Sequence, residues 1–404
     1  MTNVLLINGG KREPVRILES DPSVNLLVLT EPRYRHLYGP ATDVMLVDDI
    51  ADFTKARDVV LRDQRKRPVD YIVAPTERSQ PVAGYLRDYF GLPGTSFDIA
   101  HRHTHKYAMK RRLRAAGLSV AEHRLVLSVD RLMPVADELS WPVVVKPVLG
   151  AGSASTYVVS NPARMLQFLA TEEAYRLRQG GQALMVEEFV DMTAEYHCDG
   201  IVVDSKVRYS LASQYFEPLL YCLDTISGSI SLAPDDPDQV QIQRIHERVV
   251  ESLGLRDGVT HLELFKTKQG FLVGEIACRP GGAGIPGHIR HHSGLDIWTE
   301  FINIAIGRSG PISARTDASV VMNVQLPTKP GKVTGITPAH TFMEIPDVVE
   351  AQINARVGDT LGDEIHSSAY VGLLFLRTRD VASAWNRLDT IADVNKLTTE
   401  RVSA

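Results

Sequence analysis

No surplus of positive charge runs through this chain: 44 Lys and Arg stand against 49 Asp and Glu, a formal net charge of -5. That balance excludes a general nucleic-acid binder, which needs an excess positive field to hold a phosphate backbone. Cysteine is scarce. Cys198, Cys222 and Cys278 form no C-x-x-C pair and match no metal spacing, a usage that suits a reducing cytoplasm where thiols pack as small hydrophobes. No uninterrupted apolar run approaches membrane-spanning length, and no basic region leads into an apolar stretch with a cleavage site. A cytoplasmic protein with no membrane partner is therefore expected. Internal repeats and long low-complexity segments are missing too, the one loose region being the acidic stretch 235–238.

What is present is ordinary for a globular protein: 44% hydrophobic and 23% charged residues over 404 positions, enough for two to four lobes. The chain opens with buried strand patterns at residues 4–7, 26–29, 44–47 and 71–74 in α/β spacing, which predict a small doubly wound sheet. The glycine turn Gly9-Gly10 is no G-x-G-x-x-G and lacks the acidic partner of a dinucleotide site, so NAD binding is not expected. Glu77 lies just past the carboxyl end of the fourth strand, where open α/β sheets bind ligands; a helix-capping role is the alternative. The histidines of 101–105 match no familiar metal spacing and are expected to be surface polar residues. After Lys106 an amphipathic helix is predicted over 107–116, closed by Gly117.

The most informative stretch is 260–284, THLELFKTKQGFLVGEIACRPGGAG. Two strand patterns, 260–265 and 271–278, flank a polar turn ending in Gly270, which can supply the positive φ of a hairpin loop. With Lys268-Gln269-Gly270 as the loop, Glu263 falls opposite Glu275. A loop of different parity would turn Glu275 to the other face unless a bulge compensates. Facing carboxylates repel, and a divalent cation that takes carboxylates together with phosphate oxygens relieves them. A hairpin whose acids are merely solvated is the alternative. Arg279 points into the same space.

Earlier in the chain, Val143-Val144-Val145 reads as a strand buried on both faces, with Lys146 at its end. A desolvated ammonium there calls for an anion. The small-residue loop Gly150-Ala151-Gly152-Ser153-Ala154-Ser155 follows, then a strand at 156–159, together a hairpin able to close backbone amides over a polyphosphate. Another strand, 183–186, runs into Glu187-Glu188-Phe189-Val190, a connector that can hold a planar base or simply leave the sheet.

In this order, Lys106, Lys146 with its loop, Glu187-Glu188-Phe189-Val190, Glu263 and Glu275-Ile276-Ala277-Cys278-Arg279-Pro280-Gly281-Gly282 resemble the ATP-grasp ligases. The resemblance covers nearly the whole chain and extends to a tail, 320–376, like that of the amino-acid-ligase and biotin-carboxylase branches. It implies α/β and α+β architecture in four parts: an N-terminal doubly wound lobe (1–100), a small ATP-grasp lobe with the nucleotide clamp (101–190), a large lobe with metal and acceptor sites (191–310) and a C-terminal cap (311–404). It further implies ATP and Mg²⁺, with Mn²⁺ able to substitute.

By the same resemblance Lys106 and Lys146 contact the phosphates, and Gly150, Gly152, Ser153 and Ser155 cover them as a loop that orders with nucleotide. Glu187, Glu188 and Val190 frame the adenine, and Glu195 reaches the ribose. Glu263 and Glu275 hold metal, and Arg279 stabilises the transferring phosphoryl group. The family often carries asparagine where this chain has Ala277, so a second metal would lean on water or substrate. Glu77, His288 and Arg290 are candidate substrate contacts, the arginine for a bidentate hold on a carboxylate. The implied activity is ADP-forming ligation of a small-molecule carboxylate to an amine, amino acids included, through an acylphosphate. A homodimer is compatible with it. The alternatives are a carboxylase or formate-activating enzyme of the same fold, or a nucleotide-binding regulatory protein.

Overall fold

The computed structural model describes residues 1–64, 68–150, 152, 155–219, 225–315, 319–362 and 369–400. Four short apolar segments, β1 (Thr2–Asn8), β2 (Val24–Thr30), β3 (Asp43–Leu46) and β4 (Tyr71–Val73), form a parallel sheet in the order β3-β2-β1-β4. Parallel strands need covering on both faces, and alternate residues supply two different covers. Leu5, Ile7, Leu27, Leu29 and Ile72 pack with Val60, Val82 and Leu86 of the lobe's own helices. Val4, Leu6, Val28 and Val73 turn the other way, into a core shared with Val259, Ile285, Ile289, Ile297 and Phe301 from much later in the chain. The N-terminal lobe is thus fastened to the rest by one apolar face of its sheet.

The small lobe is an antiparallel sheet of β5 (His123–Val126), β6 (Val143–Pro147), β7 (Tyr157–Val159) and β8 (Leu184–Glu188), ordered β5-β8-β6-β7. The expected clamp hairpin is there: Val143 pairs with Val159 and Val145 with Tyr157, so Lys146 and the glycine loop lie at its mouth. Ahead of it runs the helix Lys106–Ala115, started by His105, whose ring accepts the Ala108 amide. The surface role expected for these histidines is overturned at His103, which is buried and bonds the Ile99 carbonyl through Nδ1 at 2.8 Å. Burial pushes its pKa down to about 4.

The large lobe is built on an eight-stranded sheet: β9 (Ala194–Val203), β10 (Lys206–Tyr215), β11 (Ser227–Ser231), β12 (Gly258–Thr267), β13 (Gly270–Ala277), β14 (Val320–Pro327), and two later strands. After β15 (Gly331–Ile336) come β16 (Val348–Ile353), β17 (Thr360–Leu361), β18 (Tyr370–Thr378) and β19 (Leu397–Glu400). The sheet order is β13-β12-β9-β10-β11-β14-β18-β16, so strands from the C-terminal segment continue it across the boundary drawn at 310/311. Among the described strands, β15, β17 and β19 make a separate small sheet. The helices Lys106–Ala115 and Pro237–Leu253 seal the apolar face of the large sheet, burying Tyr196, Cys198, Leu262, Leu264 and Ile276. The opposite face of β9, β12 and β13 carries the polar series.

At the β12–β13 hairpin Glu263 does face Glu275. The turn differs from the one expected. Thr267 pairs with Gly270, leaving Lys268-Gln269 as a two-residue turn, and the register shifts after Glu263 so that Gly274 is the extra residue of a bulge. A two-residue turn suits the strand twist, and Thr267 Oγ1 reinforces it by accepting the Gln269 amide at 3.1 Å and donating to the Gly270 carbonyl at 3.0 Å. Gly270 has the anticipated positive φ, 120°. The bulge then restores the parity the turn would have lost. Gly274 is required there because a Cβ would stand 2.9 Å from the tip of the Phe265 ring and 3.2 Å from the Glu263 carbonyl. Gly274→Ala should accordingly cost roughly 1–3 kcal/mol through overpacking. The loss would be read from the denaturant midpoint, and an unchanged midpoint would mean the bulge has room to spare.

Candidate active site

The small-lobe and large-lobe sheets meet at one cleft. Its walls are Lys146, Glu187 and the connector Phe189-Val190 from the small lobe, with Lys106 from the helix. Glu195, Glu263, Phe265 and Glu275 form its floor. An apolar slot of Val144, Phe189, Val190, Met192, Leu219 and Phe265 lies at the small-lobe side, with the shape and chemistry for a planar base.

Pairing on β9, β12 and β13 sets the floor. Glu195 lies opposite Phe265, His197 opposite Glu263 and Asp199 opposite His261, while Glu275 and Ala277 lie opposite Glu263 and His261 on the other side. Three carboxylates therefore crowd one patch. Burial first, then the neighbouring Glu263, pushes Glu195 up to about 8; its oxygen accepts the Leu219 amide at 2.8 Å. Glu275 goes the other way: burial opposes its ionisation, but Lys106 and then Lys146 bring it down to about 2. Lys106 Nζ reaches Glu275 at 2.7 Å and the Gly150 carbonyl at 2.9 Å, tying the clamp loop to the floor.

The clamp lysines are organised by acids. Glu187 accepts Lys110 at 2.6 Å through one oxygen and Lys146 through the other. Glu188 accepts the Ser140 amide at 2.9 Å. Both residues border the cleft, their carboxylates engaged by the two lysines and by the Ser140 amide, while Phe189, Val190 and Met192 supply the apolar side of the slot. Of the clamp loop, Gly150, Gly152 and Ser155 all have positive φ, and Ser153 lies outside the described residues, as does Cys222.

Arg279 and Glu77 come together from 202 positions apart, paired through the arginine Nη2, while Nη1 donates to the Pro280 carbonyl at 2.7 Å. Glu77 thus stands at the site by holding Arg279. Two other candidates are corrected. His288 is wholly buried, its Nδ1 3.1 Å from Asn323 Oδ1, and burial then His197 push its pKa down to about 3, which disfavours the imidazolium that an ion pair with a carboxylate needs. Arg290 is half-exposed and bonded to Glu350 at 2.6 Å, away from the residues lining the cleft.

Three participants were not singled out in the sequence. Lys110 lies four residues after Lys106, on the same helix face. His197 and Asp199 alternate with Glu195 along β9, a period-two signal. Asp199 accepts His197 at 2.6 Å and His261 at 2.9 Å, and His261 Nε2 stands 3.4 Å from Glu263. Burial opposes a charged His261, but Asp199 and Glu263 raise it to about 10, so it is an imidazolium beside the floor acids. The trio could be taken for metal ligands; with both Nδ1 atoms directed at Asp199 it is a satisfied hydrogen-bond relay. It continues through His197 Nε2 to Ser229 and on to Asn323.

A cleft between two lobes, lysines at a glycine clamp, an apolar slot and paired acids on a hairpin together describe a nucleotide-dependent phosphoryl-transfer site. Comparison with known proteins agrees. Residues 111–288 match the ATP-grasp domain and 324–399 the L-amino acid ligase C-terminal domain 2. The chain is 31% identical over 377 residues to an L-arginine-specific L-amino acid ligase of Bacillus subtilis, covering 92% of this chain and 91% of that one. Dapdiamide A synthase of Enterobacter agglomerans is 22% identical over 71% of this chain and 70% of its own. Among solved structures, an L-amino acid ligase from Bacillus licheniformis superposes with a TM-score of 0.78 at 18% identity, covering 99% of each chain. An N5-carboxyaminoimidazole ribonucleotide synthetase from Thermotoga maritima gives 0.70 at 19% identity, covering 99% of this chain and all of that one. The chain belongs to the L-amino acid ligases of the ATP-grasp superfamily, enzymes that join a carboxylate to an amine at the expense of ATP.

Proposed function

We propose that this ligase couples two amino acids, and that Lys106, Lys146 and Arg279 manage the phosphate charge while Glu263 and Glu275 hold Mg²⁺. The observation that carries this reading is the floor itself. Glu195, Glu263 and Glu275 share one patch, where burial first and then the nearby Glu263 hold Glu195 above the usual carboxylate range. Such a donor set of hard oxygens fits a divalent cation. Bound there, Mg²⁺ would neutralise phosphate oxygens and hold the polyphosphate in place.

A carboxylate attacking a polyanion is repelled, so positive charge must be in place beforehand. Lys106 and Lys146 stand at the clamp mouth and Arg279 at the far end, oriented by Glu77. The donor carboxylate oxygen bonds to the γ-phosphorus as the bond to the departing ADP breaks. The amine nitrogen then bonds to the carbonyl carbon of the acylphosphate, the carbon–oxygen bond to phosphate breaks, and the amine gives up a proton. Because the acylphosphate hydrolyses readily, the lobe-bridging bonds of Lys106 to Gly150 and Glu275 help exclude water during the exchange.

A phosphate-release screen with ATP, Mg²⁺ and amino acids singly and in pairs tests the reading. ADP and phosphate are expected in step with a dipeptide, and AMP with pyrophosphate, or release driven only by bicarbonate or formate, would sink it. Lys146→Ala should lower turnover about 10² to 10³-fold, the effect of removing one preorganised charge stabiliser; near-normal turnover would remove Lys146 from the site. Glu263→Gln and Glu275→Gln should each shift the Mg²⁺ titration of activity to higher concentration, whereas unchanged titrations would place the ion elsewhere.

A further inference from the structure

Lys110 is among the largest fully buried side chains of the protein, 1% exposed, with Glu187 as its acid. A leucine or methionine would fill such a position without the several kcal/mol that burying an ammonium costs. Packing alone does not explain it. Glu187 is buried too and divides its oxygens, Oε2 to Lys110 and Oε1 to Lys146. One negative charge is thus shared by two positive ones, and of the two lysines only Lys146 lines the cleft. The other charged groups around the trio are Lys106 on the same helix and Glu275 on β13, which pair with each other, and His123 on β5, kept neutral by burial.

We propose that Lys110 is a positioning residue for nucleotide binding: by engaging Glu187 from behind, it keeps that carboxylate from neutralising Lys146 and leaves the clamp wall with one net positive charge facing the phosphates. The inference rests on the reading that Lys146 meets phosphate. Without Lys110, Glu187 and Lys146 would close into an isolated pair, and incoming phosphates would have to compete with a carboxylate that has no other partner. Removing Glu187 as well would free Lys146 again.

The test is ADP affinity, measured by calorimetry with Mg²⁺ on the full chain. Binding by the native protein secures the nucleotide reading, and its failure to bind would reject that reading rather than this inference. Lys110→Met should weaken ADP by at least about fivefold, roughly 1 kcal/mol. The double variant Lys110→Met with Glu187→Gln should bind within about fivefold of native. The double variant removes both buried charges together, so it keeps the test decisive even where the single variant fails to fold. A folded Lys110→Met with native affinity, or a double variant weakened beyond that range, overturns the proposal. A merely structural lysine would lower stability and leave the ADP affinity of the folded variant at its native value.

Discussion

Three acidic side chains, Glu195, Glu263 and Glu275, have to share one face of a sheet whose other face is sealed by apolar packing. Much of the rest answers that constraint. Lys106 neutralises Glu275 from the helix, His261 stands beside Glu263 as an imidazolium, and Asp199 in turn anchors His261. Taken together, Lys106 and His261 stand against Asp199, Glu263 and Glu275, one positive charge short, which suits a site that must receive a cation together with a polyanion. A surface fully balanced in itself would have nothing left to offer a ligand.

The same logic is repeated on the small lobe with the signs reversed. There two lysines share one carboxylate, and the surplus is positive. The cleft therefore lies between a wall short of anions and a floor short of cations. Lys106 touches both, through the Gly150 carbonyl and Glu275.

How much of this the sequence disclosed follows the range of the forces involved. The opposition of Glu263 and Glu275 was legible because hairpin parity is local arithmetic; of the two routes to it, the chain uses the compensating bulge with a two-residue turn and not the three-residue loop. The N-terminal parallel sheet and the clamp hairpin were legible from short apolar runs and their spacing. What escaped depends on partners far apart in the chain. The direction of Glu187 is set by a lysine 77 positions earlier, and the burial of His288 by Asn323 35 positions later. His103 looked like a surface residue because nothing near it in sequence shows that the loop folds inward. Arg290 was misplaced for a related reason: Glu350, which claims it, arrives from β16.

The contact between Glu77 and Arg279 bears on modularity. The N-terminal lobe has the strand order of a self-contained α/β unit, yet one face of its sheet is completed by residues from 201 to 306. Its Glu77 holds the arginine at the end of the cleft, and Gln80 donates to the carbonyl of Cys278 next to that arginine. The lobe is thus no detachable cassette. An exchange of N-terminal lobes between related ligases would carry the aim of Arg279 with it. Grafts would then be expected to succeed or fail according to whether residue 77 and the apolar face travel together, whatever the remaining surface of the lobe looks like.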